Sequence, residues 1–214
     1  MNEFTTILKD EMAEIVEKKS KFIANIFYVE NVEEAEAKVK EVKRKYYDAK
    51  HNCIAYRVIE NGRIVEKSSD DGEPSGTAGG PMLNILQKNN LCNLVVIVTR
   101  YFGGILLGTG GLVRAYSEAT QKAIEKSIKV SKIEGIEIQV RVDYAKLDAF
   151  KYYCRNNEID IVKIEYKEDI VLKIEMEKSR KNIFLKNIET KTLNIKEYQV
   201  IQEKYITKTV EKNK

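Results

Sequence analysis

VVIVTRYFGGILLGTGGLVRAY, residues 95–116, runs from an unbroken aliphatic segment through five glycines into a periodic, helix-like stretch. An apolar run without polar alternation describes a strand covered on both faces. Glycine costs backbone entropy and contributes no packing. So many together point to positive φ or to backbone that something approaches closely. Upstream, DDGEPSGTAGGP at residues 70–81 carries four more glycines and both prolines, so nine of the chain's eleven glycines lie between Gly72 and Gly111. Glycine is sparse elsewhere, and the cluster therefore marks a site.

The flanking sequence separates into elements by period. MAEIVEKKSKFIANIFYVE reads as two strands around a turn at Lys18, Lys19, Ser20 and Lys21. Asn31 is placed to cap a helix over residues 32–47, with Val32, Ala35, Val39 and Val42 on one stripe. HNCIAYRVI at 51–59 is a strand, Asn61-Gly62 a two-residue hairpin turn, and RIVEKSS the return strand. Pro81 suits the first turn of a short helix over residues 82–89. Thr109 or the adjoining glycines introduce a helix over 112–127 whose stripe is Leu112, Tyr116, Ala119 and Ala123.

From Ile136 onward there is neither Gly nor Pro, yet the periods still divide the chain. They give a strand (136–144), a helix (145–157), two strands (159–166 and 169–177), a helix capped by Ser179 and a last strand (198–210). This βαββαβ order is a split-βαβ, ferredoxin-like plan. The boundary is expected near residues 130–135, giving domains 1–132 and 133–214, with the terminal EKNK frayed.

The length of 214 residues suits one large domain or two small ones. No apolar run approaches the ~20 residues that span a bilayer. MNEFTTILKDEMAEI lacks a basic n-region and an apolar h-region, so the cytoplasm is the expected location. Cys53, Cys92 and Cys154 form no CxxC pair and no zinc spacing, and read as buried thiols of a reduced compartment. A net charge of +4 permits nucleic-acid contact without demanding it. Mixed-sign segments such as KVKEVKRKYYDAK read as solvated helix faces.

Two loops carry the candidate chemistry. Asp70, Asp71 and Glu73, among Ser68, Ser69, Ser75 and Thr77, are close enough to hold a cation or share a proton. Their spacing fits no EF-hand, and a loop held together by its own side-chain to backbone bonds is the plainer reading. In the second loop Gly103, Gly104, Gly108, Gly110 and Gly111 present bare amides at a helix start. That suits an anion, with Arg100 and Arg114 flanking and Tyr101 and Phe102 available to stack. Neither a Walker A nor a full G-x-G-x-x-G motif is present. The alternative is that Phe102 is core and Arg100 pairs with a loop acid such as Asp71. His51, the only histidine, is a candidate base or an anchor for the acidic loop. Lys18, Lys19 and Lys21 can join Arg100 and Arg114 in a positive groove.

KSKFIA at 19–24, AKHNCIAY at 49–56, DDGEPSGTAGGP at 70–81 and VTRYFGGILLGTGGLVRAY at 98–116 together resemble the IMPACT family, in its bacterial YigZ-like branch. Gly80 departs from the pattern, since relatives often carry a larger residue there. The resemblance implies an α+β protein of two domains. The first is similar to domain IV of elongation factor G, an α/β sandwich with a left-handed βαβ crossover against the usual hand. The second is similar to the ferredoxin-like domain V. Eukaryotic members regulate translation under amino-acid starvation, by binding the ribosome-associated activator of a stress kinase. The bacterial branch has no settled activity.

The expected function is therefore a non-enzymatic regulator that binds RNA or the ribosome, as a monomer or weak dimer, with no cofactor and no metal. Its site would comprise Lys21, His51, Asp70, Asp71, Glu73, Ser75, Thr77, Arg100, Tyr101, Gly103, Gly104, Gly108, Gly110, Gly111 and Arg114. Arg100 would clamp a phosphate lying on the glycine amides. The rivals are a hydrolase-type enzyme using the acidic loop on a small phosphorylated or peptide substrate, and a protein–protein adaptor in a stress response.

Overall fold

The aliphatic run lies in the middle of a five-stranded sheet. The computed structural model describes residues 3–208, in two compact units, Glu3–Val130 and a second beginning at Ser131. The EKNK terminus and the last two residues of the expected final strand fall outside the described residues. The first unit runs β1 (Glu3–Ile7), β2 (Glu11–Glu17), β3 (Ser20–Tyr28), α1 (Val32–Lys45), β4 (His51–Glu60), β5 (Arg63–Ser69), α2 (Gly79–Lys88), β6 (Leu94–Tyr101) and α3 (Gly108–Lys126).

The sheet order is β2-β3-β6-β4-β5, and every neighbouring pair is antiparallel. β3 and β4 both flank β6, so they run parallel to each other and are joined by α1. Leu94, Val96 and Val98 turn to one face, where they pack with Phe22, Ala24, Ile26, Cys53 and Ala55 under α2 and α3. Val95 and Ile97 turn to the other, with Ile54, Tyr56 and Val58 under Ala35, Val39 and Val42 of α1. Helices on both faces explain why this strand shows no polar alternation.

Local signals place the ends. The Asn31 side chain accepts the Glu34 N–H at 2.8 Å, and Glu34 in turn accepts the Glu30 N–H at 2.8 Å. Asn61 and Gly62 both have positive φ (50° and 75°), as a type I′ turn requires. α3 starts at Gly108, so Thr109, Gly110 and Gly111 lie inside its first turn rather than before it. β1, too short to stand out in the sequence, accepts the Cys92 N–H on its Thr5 carbonyl (2.9 Å), and Leu8, just past its end, donates its N–H to the Ile128 carbonyl (2.8 Å).

The remaining elements are β7 (Lys129–Val142), α4 (Leu147–Asn156), β8 (Asp160–Tyr166), β9 (Ile170–Glu177), α5 (Lys181–Glu189) and β10 (Glu197–Thr207). β7 begins well before Ile136, and Gly135 sits inside it. A Cβ at Gly135 would lie 2.6 Å from the Ile206 side chain, so this glycine admits a close neighbour instead of marking a linker. The order β10-β7-β9-β8, all antiparallel, is the ferredoxin-like arrangement. Its core includes Ile136, Ile138, Val140, Leu172, Ile174, Phe150 and Phe184. Ser179 does not cap α5. It lies within a 3₁₀ turn over Lys178–Arg180, and α5 begins without a side-chain cap.

Candidate functional site

β6 delivers Arg100 to the α2/α3 face, opposite His51 on β4 and Phe22 on β3. There the side chain is 7% exposed. Its Nη1 donates to Glu73 Oε1 at 2.7 Å, and the Tyr116 hydroxyl donates to the same oxygen at 2.9 Å. The guanidinium carbon lies 5.5 Å from the Phe22 ring and 5.6 Å from the Phe102 ring. Phe22 and Tyr116 meet edge to face at 5.1 Å. A charge-assisted bond and flanking rings suit a desolvated arginine, yet its Nε has no acceptor among the described residues. Burial pushes the Tyr116 phenol well above its ordinary range, and burial likewise pushes the Cys53 thiol up to about 12. The Cys53 thiol also donates to the Asp70 carbonyl at 2.9 Å, which fits a structural role in holding the acidic loop.

The acidic loop is held by its own carboxylates. Asp70 accepts the N–H groups of Gly76 (2.8 Å), Ala78 (2.9 Å) and Gly79 (2.8 Å). Burial acts to raise its pKa, but these three donors together hold it below the usual carboxylate value. Asp71 accepts the Asn52 N–H at 2.7 Å and the Lys43 ammonium at 2.6 Å, and its carbonyl lies 2.9 Å from His51 Nδ1. Thr77 donates to the Pro74 carbonyl at 2.6 Å, while Ser75 is exposed. Gly79 must be glycine, since a Cβ there would lie 2.6 Å from the Ser69 backbone nitrogen.

The second loop is the exposed one. A Cβ at Gly103 would stand 2.0 Å from the Lys19 carbonyl carbon and oxygen. The Gly103 N–H donates to Ser20 Oγ at 3.2 Å, so the loop is seated on the β2–β3 turn. That turn presents Lys18 and Lys19, both exposed and both at positive φ (43° and 65°). On either side of Gly103 and Gly104 the loop exposes Phe102 (54%), Ile105 (42%) and Leu106 (83%). Gly104 and Gly108 have positive φ and open space where a Cβ would be. α3 opens without an acidic first turn or a side-chain cap, and Arg114 is exposed on it.

Two expectations are corrected by this geometry. Arg100 cannot clamp an external phosphate, because Glu73 neutralises it inside the core; the loop acid it pairs with is Glu73, not Asp71. The Gly103 amide is not free for an anion, because Ser20 takes it. Lys21 pairs with Glu14 at 2.8 Å and Tyr101 donates to Asp48 at 2.7 Å. Gly104, Gly108, Gly110 and Arg114 remain at the surface with Lys18 and Lys19, whereas Gly111 is half-buried. Ser20 and Tyr116, which tie the two loops together, had no signal of their own beyond a turn position and a helix stripe. Among the described residues no group of three or more His, Cys, Asp or Glu is arranged to hold a metal ion, and no helix is long and apolar enough to cross a membrane.

The fold and site define an α+β protein of two domains, a helix-covered antiparallel sheet followed by a ferredoxin-like unit. Residues 18–124 match the family model described as the Impact N-terminal domain, and residues 140–191 match a domain of unknown function, DUF1949. IMPACT family member YvyE of Bacillus subtilis is 35% identical over 184 residues, 86% of this chain and 84% of its own length. IMPACT family member YigZ of Escherichia coli is 34% identical over 158 residues, 73% of this chain and 78% of its own. A crystal structure of a hypothetical protein superimposes with a TM-score of 0.64 at 28% identity, covering 94% of this chain and 98% of that one. The chain belongs to the IMPACT family.

Proposed function

We propose that this chain binds RNA or the ribosome through the face formed by the β2–β3 turn and the 102–110 loop, and modulates translation by doing so without chemistry of its own. The observation that carries the reading is the seating of Gly103 on Lys19, which fixes an exposed ring and bare glycine backbone beside two exposed cations. Cations neutralise phosphates, and rings and open backbone accept unpaired nucleotides. The role in translation that the family resemblance implies for eukaryotic members points the same way. Asp70, Asp71 and Glu73 are each committed to amides or cations of the fold, which weighs against the acidic loop as a reaction centre.

Exposed Phe102, Ile105 and Leu106 favour one second reading, a protein partner on the same face. Co-sedimentation with ribosomes across a salt series tests the first. Affinity falls as salt rises, and reversing Lys18 and Lys19 together to Glu lowers the log–log slope by about 0.7–0.9 for each phosphate no longer neutralised. Absence of binding by the wild-type chain at ~50 mM salt would remove this reading. Capture of one protein that survives nuclease treatment would support the other.

A further inference from the structure

A second surface in the first unit combines rings and unpaired cations. The chain leaves α1 through Lys43, Arg44 and Lys45 into Tyr46, Tyr47 and Asp48 before β4. Lys43 is bound to Asp71, but Arg44 and Lys50 are exposed and have no ion-pair partner among the described residues. Lys45 Nζ lies 5.1 Å from the Tyr46 ring centroid. Tyr47 is 85% exposed, the most exposed large apolar or aromatic side chain among the described residues.

A third ring joins them from the sheet. Tyr101, at the end of β6, donates to Asp48 at 2.7 Å, and it stands opposite Lys21 across β3 and β6. That bond ties Tyr101 to the residue that directly follows Tyr46 and Tyr47 in the chain. Three nearby acids in the chain and sheet are already engaged: Asp48 by Tyr101, Asp71 by Lys43 and Glu14 by Lys21. The macrodipole of α1 accounts for cations in its last turn. It does not account for the Tyr47 ring left almost wholly in water.

We infer that Tyr46, Tyr47 and Tyr101, rimmed by Arg44, Lys45 and Lys50, form a platform on which unpaired bases of single-stranded RNA stack. This rests on the RNA- or ribosome-binding reading above and adds the state of the nucleic acid. Rings of this kind accept any base face but have no access to bases inside a duplex, whereas the cations hold the backbone without reading sequence. Lys21 and Tyr101 connect the platform to the turn that bears Lys18 and Lys19.

Fluorescence anisotropy of the full-length chain with a labelled oligouridine, and with a duplex RNA of equal length, tests the inference. Tyr47→Ala is expected to weaken single-strand binding by about 5- to 100-fold, while Tyr47→Phe retains it and duplex binding stays within error. Tyr47 is exposed, so the fold should survive, and circular dichroism of each variant verifies it. The inference is overturned if Tyr47→Ala leaves oligouridine affinity unchanged, or weakens single strand and duplex equally. Binding of ribosomes but not of oligouridine by the wild type also overturns it and leaves the broader reading standing. Binding of neither sinks both.

Discussion

Glu73 is the residue on which the two glycine-rich loops depend. It comes from the acidic loop, Arg100 from β6 and Tyr116 from α3, and all three are buried. Desolvating an ion pair is costly, and removing one partner leaves the other charged and unpaired. Glu73→Ala is therefore expected to destabilise the protein by about 3–5 kcal/mol, read by urea denaturation. Adding Arg100→Leu should recover a large part of that loss, because the stranded charge is gone. A cost for Glu73→Ala below ~1 kcal/mol, the range of exposed pairs, would show the network to be solvated.

α2 shows how one loop carboxylate can organise an element. Its N-cap residue is Ala78, which has no side-chain acceptor, and Asp70 supplies the missing oxygen from eight positions upstream. Both Ala78 and Gly79 N–H groups donate to Asp70 Oδ1. The folded pKa of Asp70 is depressed, so its contribution to stability is present above the unfolded value of about 3.9 and is lost as pH falls through the lower folded value. Asp70→Asn should cost about 1–2 kcal/mol at neutral pH, in the range of a lost helix cap. It should also flatten the acid limb of stability below about pH 4. An unchanged acid limb in denaturation series at several pH values would mean that other carboxylates govern that region.

Taken whole, the molecule has separate cores in its two units and a small net charge of +4. With the loop acids committed to the fold, millimolar Mg²⁺, Mn²⁺ or Zn²⁺ is expected to leave the melting temperature of the full chain unmoved. A bound ion at 100 times its dissociation constant would add about 2.7 kcal/mol. A rise of several degrees with any of these ions would return the acidic loop to consideration as a reaction centre.

The aliphatic run, the Asn31 cap, the Asn61-Gly62 turn and the βαββαβ order were all legible along the chain, because each depends on neighbours a few residues away. The glycine cluster was legible as a place but not as an arrangement. Gly103 is explained by Lys19 and Gly79 by Ser69, both close approaches between distant segments, as is that of Gly135 to Ile206 outside the cluster. Side-chain type likewise announced a charged site without saying which charges stay in water. Arg100 and Lys19 are both cations beside glycine loops. The pleat of β6 turns Arg100 inward onto Glu73, and a tight turn leaves Lys19 outside. Periodicity and composition are properties of the chain and settle its elements. Burial and pairing are properties of the packed sheet and helices, and they decide which polar groups are left to meet a partner.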